Sequence, residues 1–291
     1  MAIQMKMPLD SQMSRTALLA KYQDYLQKDV SNFSPIEASF IQTVMQQAID
    51  DCCTLWPGLL PPKIELIKTN GRHYGNGVFY TRENRIIIPE NELQNQDNEL
   101  MYQVMIHEVF HLISRRHPVL RKQLYALFGF VLTPESRQYK ITDEVLSSRI
   151  LLNPDGVVRN YAILLPLEGA DTVQAIPLLK SVAPTYQASL PAYFNYMDFG
   201  LYPLEPAAAG WQLRATPLSP EQMTGFYQQI GDNTDYIIHP DEIVAENFTL
   251  LVLRENGKLK RPAKRLSPKG AQLLDSLQAR ISHWTLSELD Q

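Results

Sequence analysis

The stretch Asp97 to Pro118, DNELMYQVMIHEVFHLISRRHP, limits what this chain can fold into more than any other. Leu100, Met101, Val104, Met105, Ile106, Val109, Phe110, Leu112 and Ile113 cover nearly the whole circumference of a helix. A helix that is apolar on all sides is buried rather than laid on a surface. Set into its middle are His107, Glu108 and His111, groups that are costly to bury without partners. Residues four apart on a helix face the same way, so the two imidazoles point into a common region. Glu108 lies a little around the turn. H-E-x-x-H is the pattern of two metal ligands with a general base between them. A zinc ion would remove the cost of leaving such groups unpaired, about 1–3 kcal/mol each. The competing reading is two buried histidines satisfied by neighbouring carbonyls. The helix has clear ends: Asp97 or Asn98 can cap its start, Arg115 and Arg116 suit its C-terminal dipole, and Pro118 stops it.

A chain of 291 residues holds one large domain or two small ones. We expect a single α+β domain in three parts: residues 1–130, an irregular insertion over 131–217, and a helical part over 218–291. The formal charge of −4, without long runs, leaves no basic footprint for nucleic acid. No segment has the length of a membrane span, and the first residues, MAIQMKMPLDSQ, have no apolar signal core, so a cytoplasmic protein is expected. Cys52 and Cys53 are adjacent, which argues against an ordinary disulfide between them and for reduced thiols.

Helices are expected over 12–29 and 35–53, the second capped by Ser34 with Pro35 in its first turn. Ile64 to Ile67 reads as a strand, and Val78–Thr81 with Arg85–Ile88 as a hairpin just ahead of the histidine helix. Another short helix is expected over 120–130. Prolines at 134, 154, 166, 177, 184, 191, 203, 206 and 217 break up the next part, where only short runs such as Tyr161–Leu165 read as strands. Asn153-Pro154-Asp155-Gly156 is a turn by composition that could also line the site, with the plain turn as the preferred reading. His239-Pro240-Asp241-Glu242 opens another helix, with proline at its first position and acids in its first turn. Residues 258–265, KLKRPAKR, read as solvated charge, and a last helix is expected near 267–284.

Catalytic zinc commonly has three protein ligands, and two candidates compete for the third place. Glu242 and Glu246 are four apart on a helix otherwise rich in Ile, Val, Ala, Phe and Leu. Like charges at that spacing repel, so a buried pair calls for a cation or for donors nearby. One acid can bind the metal while the other accepts the remaining N–H of a ligand imidazole. His117, six residues beyond His111, is the other candidate, as in H-E-x-x-H-x-x-G-x-x-H. Ser114 stands here at the glycine position, and a continuing helix would carry His117 away from the shared face.

His107-Glu108-Val109-Phe110-His111 with a downstream Glu242-x-x-Ala245-Glu246 resembles the gluzincin-type zinc metallopeptidases. Thermolysin-like enzymes, CaaX-processing proteases and ImmA-type peptidases share that plan. The resemblance covers about residues 77–117 and 239–256. It implies a zincin-like fold, with a small sheet packed on the buried helix, a second ligand-bearing helix and mostly helical surroundings. It also implies Zn²⁺ on His107, His111 and Glu242, with Glu246 supporting a histidine, Glu108 as base, and a peptide or protein as substrate. In such folds an edge strand binds the extended substrate, here the hairpin over 77–88. Just before the second helix, Tyr236 and His239 are candidate donors to a developing oxyanion. Two other classes stay open: a zinc-stabilised binding or regulatory protein without turnover, and a hydrolase acting on something other than peptides.

Overall fold

Two capped helices open the chain in the computed structural model, which describes residues 1–8, 13–94, 96–133, 138–156, 160–167, 170–208, 210–259 and 266–289. Ser14 caps α1 (Arg15–Asp29). Ser34 caps α2 (Pro35–Leu55) reciprocally with Glu37, which satisfies two backbone donors at once. Strands β1 (Val30–Ser31), β2 (Glu65–Thr69), β3 (Tyr80–Arg82) and β4 (Arg85–Pro89) form a sheet in the order β1-β2-β4-β3. The expected hairpin is thus present as β3 and β4, and β3 is the edge strand.

Helix α3 (Asn98–Arg116) follows. Asp97 caps it by accepting from the Glu99 and Leu100 amides, and eleven of its residues from Met101 to Ser114 are buried. His117 ends α3 and Pro118 starts α4 (Pro118–Leu127), so the chain turns at that junction. The His117 Nε2 lies 3.0 Å from the Leu59 carbonyl, and its ring stands edge-on to Trp284. His117 is therefore engaged at the helix end and not with the other two histidines.

Residues 131–217 correct the expectation of an irregular insertion. They supply most of a seven-stranded sheet, ordered β5-β8-β9-β10-β11-β6 with β7 also on β9. Its strands are β5 (Phe130–Leu132), β6 (Tyr139–Lys140), β7 (Ile150–Leu151), β8 (Tyr161–Leu167), β9 (Ala170–Ser181), β10 (Met197–Ala207) and β11 (Gly210–Leu213), with α5 (Glu144–Arg149) before β7. Three prolines inside these strands mislead, because each lies where pairing on at least one side shifts or stops. Pro166 falls at the irregularity between Leu165 and Leu167. Pro177 faces Leu201 of β10, on a stretch of β9 between its pairings with β8 and β7. Pro203 lies where β10 passes from β9 to β11. A residue without an N–H is tolerated at such points, since no ladder bond is lost. The histidine helix itself packs on α2 and on the later helices of the chain, with β3 also against it.

The chain closes with α6 (Thr224–Ile230), α7 (Pro240–Glu255) and α8 (Pro268–Leu289); residues 260–265 of the basic run lie outside the described residues. One apolar cluster runs from Ile41 of α2 through α3, α4 and α7 to Ile281 of α8. The large sheet alternates, as strands do: Tyr161, Ile163, Leu165 and Leu201 enter that cluster, while Ala162, Ile176, Tyr202 and Leu204 pack in a second one. The fold is α+β. Among the described residues no helix is long and apolar enough to cross a membrane. Cys52 is buried, Cys53 is partly exposed, and both are free thiols.

Candidate metal centre

Helices α3 and α7 pack against each other in the core. From α3, His107 and His111 project together, with ring centroids 4.9 Å apart. From α7 come Asp241, Glu242 and Glu246. Glu242 Oε2 lies 3.0 Å from His107 Nε2 and 3.5 Å from His111 Nε2, so one carboxylate oxygen serves both rings. Each imidazole is anchored by its other nitrogen. His107 Nδ1–H donates to Glu246 Oε1 at 2.9 Å, and His111 Nδ1–H donates to Asp241 Oδ2 at 2.8 Å. Asp241 is held in turn by the hydroxyls of Ser114 and Tyr125, both at 2.6 Å from its Oδ1. Carboxylates behind the imidazoles fix the tautomer and aim both Nε2 atoms at the same place.

Glu108 is 2 % exposed and accepts a 2.7 Å bond from the Thr81 hydroxyl of β3. The turn Asn153–Gly156 is formed, with the Gly156 amide donating to the Asn153 carbonyl, and it also lines the site. The Asn153 side-chain amide donates to Glu242 Oε1. Asp155 Oδ1 accepts the Thr81 amide at 2.6 Å, and Arg115 donates to the Asp155 carbonyl at 2.9 Å.

The electrostatics follow from crowding acids and imidazoles in a buried space. Burial disfavours charge on His107, but its bonds to Glu242 and Glu246 outweigh that and raise it to about 10. Burial likewise opposes charge on His111, yet Asp155, Glu242 and Asp241 raise it well above its usual value. Against its own burial, Glu242 is held far below the ordinary carboxylate range by His111 and His107. Burial, reinforced by Glu108, pushes Asp155 up to about 7. These acids demand positive charge, which protonated imidazoles or a divalent cation can supply.

The donor set fits a cation. With both Nδ1 atoms donating to carboxylates, a neutral ring turns a lone pair on Nε2 toward the Glu242 oxygen, and something positive has to stand between them. His111 Nε2 is buried with no hydrogen-bond partner. A tetrahedral zinc with bonds of about 2.0–2.1 Å spaces its donors about 3.3 Å apart, and the 3.0 and 3.5 Å separations bracket that value. Two sets of donors lie within 4.8 Å of one another: His107, Glu108 and His111, and His111, Asp155 and Glu242.

A cleft of about 580 Å³ opens over these groups, with His107, Glu108, Asp155 and Glu242 in its lining and Phe79, Val104 and Leu250 among its apolar walls. Tyr236 lines the same cleft, its ring centroid 6.4 Å from that of His107. Burial and the nearby Glu242 keep its hydroxyl protonated by raising its pKa. His239 serves as the cap of α7, its Nδ1 accepting the Asp241 amide at 3.0 Å, and it is not part of the cleft lining.

Asp241, Thr81 and Arg115 are contributors that the sequence reading misses, and Asn153 and Asp155 come from the turn that it allowed to line the site. Comparison of the chain with protein families, with curated proteins and with solved structures finds no match.

Proposed function

We propose that this protein is a zinc-dependent peptidase with a gluzincin-like, zincin-type site. The observation that carries the reading is the convergence of His107 Nε2 and His111 Nε2 on one buried oxygen of Glu242, with each ring anchored from behind by an acid. His107, His111 and Glu242 would hold the zinc. When bound, the ion supplies a Lewis acid that polarises a carbonyl and brings water toward its nucleophilic form near neutral pH.

The remaining work falls to the chain's own residues. Glu108, oriented by Thr81, takes the proton from the attacking water and returns it to the leaving nitrogen. The protonated hydroxyl of Tyr236 is the donor in the cleft lining suited to a developing oxyanion. A peptide would enter along Gly77, Val78 and Phe79, which line the cleft just ahead of β3. It cannot pair with Thr81, whose amide is taken by Asp155 and whose carbonyl accepts from Arg82. The pairing edge is thus shorter than the hairpin expected over 77–88.

The test is hydrolysis of a mixed peptide library by zinc-loaded protein, abolished by a chelator and restored by zinc. Absence of cleavage from protein carrying one zinc per chain would refute the peptidase assignment. It would favour the second reading, a zinc-stabilised protein without turnover, which has the extra buried acid Asp155 on its side.

Two further outcomes follow. Asp241→Asn leaves the His111 N–H, or one of the Ser114 and Tyr125 hydroxyls, without its acceptor. We expect zinc affinity to fall about 10–100-fold and unfolding to shift to lower denaturant by about 1–3 kcal/mol; competition with a chromogenic chelator and urea titration read these. The second outcome concerns pH. In the metal-free protein His107 is raised from 6.5 to about 10. Its charge therefore stabilises the fold fully below about pH 6.5, and that contribution is lost as pH rises through about 10. Zinc affinity runs the opposite way, rising over the same window because ligation needs neutral nitrogen. Calorimetry at pH 7 in buffers of different ionisation enthalpy should record proton release on zinc binding; no release would contradict it.

A further inference from the structure

Asp155 is placed by a segment far from both ligand helices, in the turn between β7 and β8, yet it is 4 % exposed and sits among the donors. One of its oxygens, one nitrogen of His111 and one oxygen of Glu242 all lie within 4.8 Å of one another, and all three residues are buried. Inside this group His111 Nε2 has no hydrogen-bond partner. We infer that Asp155 is a fourth protein donor to the same cation, so that the site is His107, His111, Glu242 and Asp155. This rests on the metal centre proposed above and goes beyond it.

Its neighbours hold Asp155 where a ligand needs to be. The Thr81 amide fixes Oδ1 at 2.6 Å, and Arg115, one turn beyond His111 on α3, grips the Asp155 carbonyl at 2.9 Å and reaches Oδ1 at 3.5 Å. Arg82 donates to the adjacent Pro154 carbonyl, and Asn153 to Glu242. The turn is thus tied to β3, to α3 and to the ligand helix α7 at once. A carboxylate held so tightly beside the His111 imidazole and a second carboxylate is balanced by Arg115 together with either a protonated His111 or a cation. Glu108 instead accepts the Thr81 hydroxyl and groups with His107 and His111, and His111 is the member shared with the group that contains Glu242 and Asp155.

The consequence is chemical. With four protein donors the site would resemble a closed one, and water or a substrate oxygen would have to enter as an added donor. A second carboxylate also makes the set harder, which favours Mn²⁺ more than a single carboxylate would.

The test is zinc affinity, measured by competition with a chromogenic chelator, for wild type, Asp155→Asn, Asp155→Glu and Glu242→Ala. Asp155→Asn keeps an oxygen to accept the Thr81 amide, so it removes the anionic donor while sparing that structural bond. We expect at least about a tenfold loss of affinity in Asp155→Asn and recovery of part of it in Asp155→Glu. Wild-type affinity in Asp155→Asn, with affinity lost in Glu242→Ala, overturns the fourth donor and leaves the metal centre standing. Wild-type affinity in both overturns the centre as well. Should the asparagine variant fail to fold, a zinc-loaded crystal of the wild-type chain decides: an Asp155 oxygen about 2.0–2.2 Å from the ion supports the inference, and one beyond about 3 Å refutes it.

Discussion

Glu108→Gln should leave zinc content unchanged and lower peptide hydrolysis by about 10²–10⁴-fold, the range that a positioned general base contributes. The substitution is nearly isosteric, and the glutamine oxygen can still accept the Thr81 hydroxyl that now reaches Glu108 at 2.7 Å. His107 and His111 keep their anchors on Glu246 and Asp241, neither of which touches Glu108. What disappears is the ability to take a proton from water beside the ion and deliver it to the departing nitrogen. Turnover of a fluorogenic peptide and elemental analysis on the same sample read the two halves. Full activity with zinc bound would remove Glu108 from the mechanism.

Glu242→Ala should have the larger effect on the protein itself. Glu242 is 1 % exposed, and its oxygens meet His107, His111 and the Asn153 amide. Removing it takes away a metal donor, leaves His107 Nε2 and the Asn153 amide without the carboxylate they bond, and takes the facing charge from His111. Breaking a buried charged partnership from one side costs about 3–5 kcal/mol. We expect a loss of that order in urea unfolding of the chelator-treated protein, together with a fall in zinc affinity well beyond that of Asp241→Asn. Glu246→Ala should be milder, because Glu246 is 39 % exposed and its bond to the site is to the outer nitrogen of His107. Equal stability and affinity for Glu242→Ala and wild type would show that Glu242 holds nothing.

What could be read in the sequence was what repeats at helical spacing. His107 and His111 lie one turn apart, as do Glu242 and Glu246, and each pair is brought to one place by local geometry alone. Asp241 was visible only as an acid in the first turn of α7. An acid there suits the helix dipole whether or not it also orients a histidine, so position alone could not reveal its bond to His111. For Asn153 and Asp155 the sequence leaves both readings open, because the residues that make a turn are also those that place a carboxylate and an amide in a cleft. Thr81 and Arg115 act across the fold and leave no local pattern. The second sheet is not legible because Pro166, Pro177 and Pro203 argue against central strands, and only the register shows that each lies where pairing on at least one side shifts or stops.

The central claim is that α3 and α7 pin one zinc between His107, His111 and Glu242. The most direct measurement is the zinc-to-protein ratio after zinc loading and dialysis against metal-free buffer, for wild type beside His107→Ala and His117→Ala. The expected ratios are about one, near zero and about one, since His117 is occupied at the end of α3 by the Leu59 carbonyl. A wild-type ratio near zero, or equal ratios in wild type and His107→Ala, would contradict it.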